Sequence, residues 1–500
     1  MRTSLTLALR AGMLLFLGGL AACGGGGGSG SGPSSSSTPP TSNEPPPPSR
    51  WSAAAAFGTA QGNPNEASLG IDNNGNSLFV VSTAASSQIL IQAFRKPAGA
   101  GWTPGQAISP LVTPIAFGTH VYSGPQVRVD DAGNALAGWS FRDWSSLSDR
   151  NFVSNVYVSR RETSSGTWSS PQVLQSDPSA YAKDIRIAME RNGTAWAVWT
   201  ERTVKDTFFS TQDKYAIFAA KFTPGIGWSA AERVTSDFRE ENGFGARVAT
   251  NQHGNPRVIV VWNSVIPLES NLYYSARSAS GIWSALIPVA HALPANGLAN
   301  NYTEYDLAVD GNDNAIAVWS EYDGTRHTVL ARHFTAAGGW EPTLELPLSS
   351  NDDALAPQLA MDSDGNAFVA WHEFDGSAYA IWTARFERTV GWTVLELISS
   401  ISLFGDDSTF PRIAFDAAGN AAAVWTKYER VRNRPVVRAN FYSRTAGWGA
   451  DETISGGAGI AAAADVAMSP SGHATAVWWE ESLNPATPNV FFPMSATRSP

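Results

Sequence analysis

The chain has 500 residues, of which 43% are hydrophobic and 11% aromatic, which is enough for a packed core. Its net charge of −10 argues against nucleic acid or an anionic lipid surface as the main partner. A single cysteine excludes a framework of disulfides, so burial and backbone pairing must stabilise the fold.

Residues 1–22 have the features of a secretory signal peptide. Arg2 and Arg10 flank a short start, and the apolar stretch that follows ends at Leu20. This stretch is too short to serve comfortably as a membrane span. Residues 20–23 (Leu-Ala-Ala-Cys) resemble the lipobox of bacterial lipoproteins, and the resemblance implies cleavage before Cys23 and acylation of this cysteine. An ordinary signal peptide, cut near a small residue, is the alternative.

The lipobox resemblance also implies a location. Gly24 follows the cysteine at a place where aspartate resembles an inner-membrane retention signal. We therefore expect a lipid-anchored protein of the outer membrane, either periplasmic or surface-facing. Several acyl chains at Cys23 would anchor it stably. Residues 23–49 are mostly Gly, Ser and Pro and predict a flexible tether, because they cannot bury a core. Residues 50–500 form the folded body.

A repeated segment of the form Asp-x-x-Gly-Asn-Ala-x-Ala-Val-Trp runs through the body. It is seen, with small variations, at residues 130–139 and 416–425. An Asx-type side chain and a glycine free to take positive φ are what a tight hairpin needs. Successive copies are 52 to 61 residues apart, which predicts one supersecondary unit stacked many times. Aligned on the turn glycine, the copies are at Gly75, Gly133, Gly193, Gly254, Asp313, Gly365, Gly419 and Gly472.

Most copies contain four strand-like runs. In the seventh copy, residues 411–415 lead into the turn, residues 421–425 return from it, residues 435–441 form a third run and residues 447–448 open a fourth. Four antiparallel strands per repeat predict a blade of a β-propeller, in which roughly four to eight blades surround a channel. A stacked solenoid is the alternative, although its repeats are usually shorter.

The two ends of the body complement each other. A tryptophan opens the fourth run in seven copies, but the eighth copy stops at Pro500 without a fourth run. Residues 50–52 form an isolated fourth run, and Trp51 lies 24 residues before Gly75, as Trp448 lies 24 before Gly472. We therefore predict an all-β, eight-bladed propeller of four-stranded antiparallel blades, closed by the N-terminal strand joining the C-terminal blade.

Fifteen of the 19 tryptophans follow the repeat. Seven end the second run and eight lie in the fourth run, so we expect them to pack between blades.

The turns between the third and fourth runs resemble a known repeat. Two of these turns resemble a degenerate Asp-box, the repeat of sialidases and related propellers, although the box aspartate is missing. They are residues 164–168 (Ser-Ser-Gly-Thr-Trp) and 278–283 (Ser-Ala-Ser-Gly-Ile-Trp). In that family the box is structural and lies away from the active site. The resemblance therefore implies the blade rather than an activity.

One position of the first run varies while its neighbours repeat. It lies seven residues before the turn position, where a propeller strand borders the central channel. Sialidases, which the repeats resemble, bind a substrate carboxylate with an arginine triad. This position therefore predicts a polar site for a carboxylate or a sugar, and paired, solvated charges around trapped water are the alternative. Its charged members are Arg186, Arg247, Arg412, Asp306 and Asp465.

The loops after the second run should open at the same end of the channel. Glu321, Tyr322, Glu373 and Tyr428 lie in these loops and predict an acidic and aromatic binding rim. Ordinary hydrophilic loops are the alternative. No spacing identifies catalytic residues, and the seven histidines show no metal-binding spacing. We therefore expect no catalytic residues, no metal and no cofactor.

Together these features predict a membrane-anchored, non-catalytic binding or scaffold lipoprotein of the cell envelope, which uses the channel mouth and the rim. Its partners would be the membrane, through the lipid anchor at Cys23, and a glycan or envelope-protein ligand, but not nucleic acid. The alternative is a sialidase-like glycoside hydrolase that acts on an acidic sugar. Unpaired arginines that converge beside a Tyr–Glu pair would favour the hydrolase. Arginines neutralised by Asp306 and Asp465 would favour the binding protein.

Overall fold

The computed structural model describes most of the body. The predicted signal peptide, Cys23 and the tether lie outside the described residues. No helix within the described ranges is long and apolar enough to cross a membrane. The described residues are 51–58, 62–85, 88–110, 121–143, 153–177, 180–204, 214–236, 238–239, 246–251, 256–265, 268–291, 305–393, 395–401, 405–456, 459–482 and 490–500.

Eight antiparallel sheets form the blades of a propeller, which confirms the predicted fold class. The chain begins with β1 (Ala55–Ala56), which belongs to blade 8. Blades 1 to 4 contain β2 (Gly62–Ile71), β3 (Ser77–Ala85), β4 (Gln88–Lys96) and β5 (Gln106–Ala107); β6 (Val121–Val129), β7 (Ala135–Asp143), β8 (Val153–Arg161) and β9 (Gln172–Val173); β10 (Ala182–Met189), β11 (Ala195–Val204), β12 (Lys214–Thr223), β13 (Gly227–Trp228), β14 (Glu232–Arg233) and β15 (Phe238–Arg239); β16 (Arg247–Thr250), β17 (Pro256–Val265), β18 (Leu268–Ala276) and β19 (Ile287–His291).

The second half of the chain repeats this order. Blades 5 to 8 contain β20 (Tyr305–Val309), β21 (Ala315–Tyr322), β22 (His327–Thr335), β23 (Gly339–Trp340) and β24 (Leu344–Glu345); β25 (Ala354–Met361), β26 (Ala367–Phe374), β27 (Tyr379–Glu387), β28 (Gly391–Trp392) and β29 (Glu396–Leu397); β30 (Asp407–Phe415), β31 (Ala421–Glu429), β32 (Arg434–Ser443), β33 (Gly447–Trp448) and β34 (Glu452–Thr453); β35 (Ala461–Met468), β36 (Ala474–Glu481) and β37 (Phe491–Arg498).

The fourth strand of several blades is divided into short pieces that pair with the same third strand. In blade 3, β13 pairs with one end of β12, and β14 pairs with the middle of β12. The sheets with five or six named strands are therefore four-stranded blades with an interrupted outer edge.

The ring is closed by the N-terminal segment, as the sequence predicts. β1 pairs antiparallel with β37. The Ser52 N–H donates to the Thr497 carbonyl at 2.8 Å, and in blade 3 the Ser229 N–H donates to the Lys221 carbonyl at the same distance. Because the two bonds are equivalent, the N-terminal segment is the fourth strand of blade 8.

The core lies between neighbouring blades. Trp199 of blade 3 packs with Leu136 and Val156 of blade 2, and Trp371 of blade 6 packs with Val318 of blade 5. These tryptophans each bury a large apolar area, so they contribute strongly to the packing between neighbouring blades. The second-strand tryptophans whose side chains are described are at most 1% exposed, and they are Trp139, Trp199, Trp319, Trp371, Trp425 and Trp478.

The propeller has two different faces. The turns between the first and second strands lie beside the turns between the third and fourth strands, since Asn134 Oδ1 accepts the Thr163 N–H at 3.0 Å. We call this the turn face, and the Asp-box-like turns lie on it. Trp51 begins the fourth strand of blade 8, so the chain enters the propeller at the turn face. The opposite face, where the innermost strands begin, is called the mouth.

The turn aspartates join neighbouring blades. Asp130 accepts hydrogen bonds from the Asn134 N–H at 2.8 Å and from its side-chain amide at 2.9 Å. Asp130 Oδ2 also lies close to Gly193 of the next blade. A Cβ atom added to Gly193 would be only 2.7 Å from this oxygen. Gly193 also has a φ of +85°. Glycine is therefore required at this turn for both its conformation and its close approach to the preceding blade.

Blade 5 departs from this arrangement. Asp313, with a φ of +67°, stands where the other turns have glycine. Its carboxylate accepts a hydrogen bond from Asn251 of blade 4 and forms an ion pair with Arg257 at 3.2 Å. In blade 4 the residue that begins the turn is Asn251, so the carboxylate at this interface comes from Asp313 of blade 5. It compensates the charge of the Arg257 guanidinium, which is mostly buried.

Candidate functional site

The varying position of the first strand forms one layer around the channel. Each of its residues pairs with the residue five positions after the turn position of its own blade. The innermost strands of successive blades contact one another around the ring, including those of blades 8 and 1. We call this layer the channel ring, and its members in blade order are Ser68, Gln126, Arg186, Arg247, Asp306, Gln358, Arg412 and Asp465.

Arg186 and Arg247 stand on neighbouring blades and share one side of the channel ring. Burial and, after it, the like charge of Arg247 together lower the pKa of Arg186 to about 10. The Arg247 guanidinium lies over the ring of Tyr305, 5.1 Å from its centroid. Among the described residues, neither guanidinium forms an ion pair with a carboxylate. Two positive charges therefore face the same part of the mouth.

Arg412 lies apart from this pair. It is on blade 7, half the ring away from Arg186 on blade 3. Burial raises the pKa of Asp465 and of Asp306 above the usual value. The charge of Arg412 opposes this shift at Asp465, whereas at Asp306 the charge of Arg247 opposes it and Arg412 acts more weakly. The structure thus brings Arg186 and Arg247 together on one side of the ring, with Asp306 near Arg247, and places Arg412 near Asp465.

The ring aspartates join innermost strands of neighbouring blades. Asp306 Oδ2 accepts the Leu359 N–H of blade 6 at 3.1 Å. Asp465 Oδ2 accepts the Leu69 N–H of blade 1 at 3.3 Å, and the Ser68 hydroxyl does the same for blade 2. These acceptors satisfy N–H groups at the edges of the innermost strands, so both aspartates have a structural role that sequence reasoning missed.

A second layer of the channel, two residues further along each innermost strand, holds one large side chain. Arg128 donates to the Val127 carbonyl at 2.8 Å and to Gln126 Oε1 at 3.3 Å. Burial lowers its pKa, and the charges of Asp465 and Asp306 oppose this effect. The same alignment that revealed the channel ring would have revealed Arg128, since the other members of this layer are Gly70, Ala188, Ala249, Ala308, Ala360, Ala414 and Ala467.

A β-bulge directly precedes the channel ring in five blades. Two residues of the first strand there oppose the second-strand tryptophan. The first of the two has a φ between +56° and +60°, which costs on the order of 1 kcal/mol or more where the residue is not glycine. Bulges re-aim side chains and are frequent beside active sites. The five residues are Gly124, Asp184, Ala356, Phe410 and Ala463.

The predicted rim residue Glu373 is part of the scaffold. Its side chain is fully buried, and its carboxylate accepts the Ser349 and Ser350 N–H groups at 2.7 Å and the Trp371 Nε1–H at 3.2 Å. Three other blades repeat the tryptophan bond, so a Trp-x-Glu pattern in the sequence could have revealed it. Those pairs are Trp199–Glu201, Trp319–Glu321 and Trp478–Glu480.

The other three predicted rim residues are more accessible. Glu321 is half-buried, accepts a hydrogen bond from Trp319 at 2.8 Å, and has a pKa that burial raises. The half-buried Tyr322 lies 5.1 Å from the ring of His327, and the Tyr428 hydroxyl bonds to the Asn433 side chain. All four predicted rim residues lie within the second strands β21, β26 and β31, at their ends, and not in the loops after them, which differs from the predicted position. These strands belong to blades 5, 6 and 7, so the four residues do not form one cluster.

No group of three or more His, Cys, Asp or Glu side chains that could hold a metal ion occurs in the part of the chain that the structure describes.

The fold and the site define a β-propeller with a polar channel of mixed charge. No protein family matches the chain, and no curated protein matches it. Similar solved structures include an ulvan lyase, a polysaccharide lyase, with a TM-score of 0.44, 10% identity and coverage of 76% of this chain and 92% of that one. A protein of unknown function from Dyadobacter fermentans has a TM-score of 0.40, 13% identity and coverage of 70% and 99%. The NanB sialidase of Streptococcus pneumoniae has a TM-score of 0.36, 12% identity and coverage of 85% and 83%. At these identities and TM-scores the similarity does not indicate what this chain binds.

Proposed function

We propose that this protein is a binding protein of the cell envelope, whose channel mouth holds the anionic group of a ligand between Arg186 and Arg247. The supporting observation is that the buried guanidinium of Arg186 and the half-buried Arg247 share one side of the channel ring without an ion pair among the described residues. Each guanidinium can donate several charge-assisted hydrogen bonds to a carboxylate. A bound anion would also relieve the repulsion that lowers the pKa of Arg186.

The charge of the channel supports an anionic ligand. The chain as a whole has a net charge of −10. Among the described residues of the innermost strands, however, four guanidiniums (Arg128, Arg186, Arg247 and Arg412) accompany three carboxylates (Asp184, Asp306 and Asp465). Burial raises the pKa of two of these carboxyls, those of Asp306 and Asp465. A narrow channel focuses such a field, so the local charge rather than the net charge governs what enters it.

The state of Tyr305 supports binding rather than hydrolysis. Burial raises its pKa, and the opposing effect of Arg247 and Arg186 does not reverse the shift. A raised pKa keeps the phenol protonated and so disfavours its use as a nucleophile. Among the described contacts, Tyr305 packs under the Arg247 guanidinium. The sialidase-like hydrolase stays a prediction from the sequence.

The proposal includes a lipid anchor at Cys23 and a location at the outer membrane. It is supported by the sequence of residues 20–23 and by the single cysteine. Mass spectrometry of the mature N-terminal peptide tests it, since acylation adds the mass of the acyl chains. A mature N-terminal peptide that contains Cys23 without the added mass of acyl chains would exclude this anchor.

The anion site is tested by titration calorimetry of the full-length protein in detergent with sialic acid, galacturonic acid and their neutral counterparts. We expect Arg186→Gln and Arg247→Gln each to weaken binding of an acidic sugar about tenfold or more, because each removes a charged donor. The matched control is Arg191→Gln, an exposed arginine of the turn face. Unchanged affinity in the Arg186/Arg247 double variant, or equal affinity for the neutral sugars, would refute the site.

A further inference from the structure

Phe410 is an exposed aromatic residue at the mouth. It is 55% exposed although its φ is +56°, a conformation that is unfavourable for a bulky side chain. It occupies the first bulge position of blade 7. The scaffold does not require a large side chain there, because the same position in the other described bulges holds Gly124, Asp184, Ala356 and Ala463. The positive φ is shared by all five bulges, so the exposed phenyl group, and not the backbone conformation, distinguishes Phe410 and indicates a functional role.

Aromatic rings support Phe410 on its protein side. The His372 ring meets it edge-on, with centroids 5.5 Å apart, and Tyr379 lies 5.1 Å beyond His372. His372 is 4% exposed, and burial lowers its pKa to about 3, so its ring is neutral. The phenyl group is thus held by uncharged rings on one side and is open to solvent on the other, which makes it a platform for an apolar face of a ligand.

The platform and the arginine pair lie on opposite sides of the channel. Phe410 is on blade 7, and Arg186 and Arg247 are on blades 3 and 4 of an eight-bladed ring. Blade 7 is the fourth blade from blade 3 in either direction. A ligand that contacts both places must therefore cross the mouth, which favours an extended ligand over a single sugar.

We propose that the mouth binds an acidic oligosaccharide, with one sugar ring stacked on Phe410 and a carboxylate of another unit between Arg186 and Arg247. This inference rests on the proposed anion site and specifies the class of its ligand. The C–H face of a pyranose packs on an aromatic ring, and its hydroxyl groups donate to carboxylates. Asp352 provides such an acceptor near Tyr379, beside the platform. The neighbouring Asp353 and Asp407 are already engaged, the first by the His327 N–H at 2.7 Å and the second by Arg430 at 3.1 Å.

The experiment compares galacturonic acid with oligogalacturonates, and sialic acid with oligosialic acid, by calorimetry on the full-length protein. We expect the better oligomer to bind about tenfold more tightly than its monomer, and Phe410→Ala to remove that gain without weakening the monomer. Phe410→Trp should keep the gain. Val390→Ala, an exposed apolar residue of the turn face, is the control. Phe410→Ala should fold, because alanine occupies the same bulge position in two other blades.

The outcomes separate this inference from the function on which it rests. If Phe410→Ala leaves the ratio of oligomer to monomer affinity unchanged while Arg186→Gln still weakens the monomer, only the platform is refuted. If an acidic peptide of equal charge binds and no oligosaccharide does, the ligand class is wrong although the anion site stands. If the wild-type protein binds none of these anions, both the site and the platform are refuted.

Discussion

Closure of the propeller depends on a short segment with two aromatic anchors. Trp51 is 4% exposed and packs into the cluster between blades 7 and 8. Phe57 is 6% exposed and stacks on Trp102 of blade 1, with centroids 4.1 Å apart. The two side chains flank β1 and enter different clusters. They therefore fasten blade 8 to its neighbours on both sides.

The cost of losing one anchor follows from its burial. Replacing a buried aromatic residue by alanine costs about 3 to 5 kcal/mol. A body of about 450 residues has an unfolding entropy of about 0.9 kcal/mol/K. Trp51→Ala should therefore lower Tm by roughly 3 to 5 °C. The two anchors are separate, so the Trp51→Ala/Phe57→Ala variant should lose roughly 6 to 10 kcal/mol, comparable to the whole stability of many proteins.

Calorimetry of the full-length variants measures the change in Tm, and limited proteolysis reports whether residues near the clasp become cleavable in the native state. The control is Ile226→Ala, because the Ile226 side chain lies on the turn face and is 85% exposed. This variant should change Tm by less than about one degree. If Trp51→Ala behaves like the Ile226→Ala control, the N-terminal segment does not close the ring and the reasoning is refuted.

Three other perturbations test separate parts of the scaffold. Asp313→Gly should destabilise the protein by about 1 to 2 kcal/mol in urea unfolding, because the lost ion pair outweighs the relieved φ strain. Adding Asn251→Asp to this variant should restore most of the lost stability. Because the pKa of Asp465 is raised, the native state takes up a proton that the unfolded state does not. The free energy of unfolding should therefore rise as pH falls from that pKa toward about 4. Asp465→Asn should reduce this rise when unfolding is measured across a pH series. Glu373→Ala should lower the free energy of unfolding by about 3 kcal/mol, because it leaves several buried donors without an acceptor, and Glu321→Ala should lower it by about 1 kcal/mol. Neither variant should change the affinity for an acidic sugar.

The blades could be predicted from the sequence because their turns are made of local contacts. In five blades the aspartate that begins the turn accepts the N–H four residues later, as Asp72 does from Asn76. Such bonds leave a fixed spacing in the sequence, and counting the spacings gives the number of blades. The closure could be predicted for a similar reason, since a fourth strand was absent at one end and isolated at the other.

The roles of individual site residues could not be predicted, because they depend on contacts between blades. The bond from Leu359 to Asp306 joins residues 53 positions apart, and no local pattern encodes it. The burial of Glu373 depends on Ser349 and Ser350, which lie in the connection from the preceding blade. Phe410 was overlooked because its importance comes from the bulge, and a bulge has no sequence signature when its first residue is not glycine.

The channel ring shows which of its side chains the scaffold requires. Arg186 donates to the carbonyl of the preceding residue at 3.0 Å and Arg412 does so at 3.1 Å. Gln358 and Gln126 make the same bond at 3.0 and 3.4 Å. A glutamine side-chain amide can therefore make this hydrogen bond to the preceding carbonyl. A guanidinium also carries a positive charge and further N–H donors, which this bond does not use. Arg186→Gln should accordingly keep the wild-type Tm while it weakens the binding of an acidic sugar. A large loss of Tm in that variant would show that the charge serves the scaffold and not a ligand.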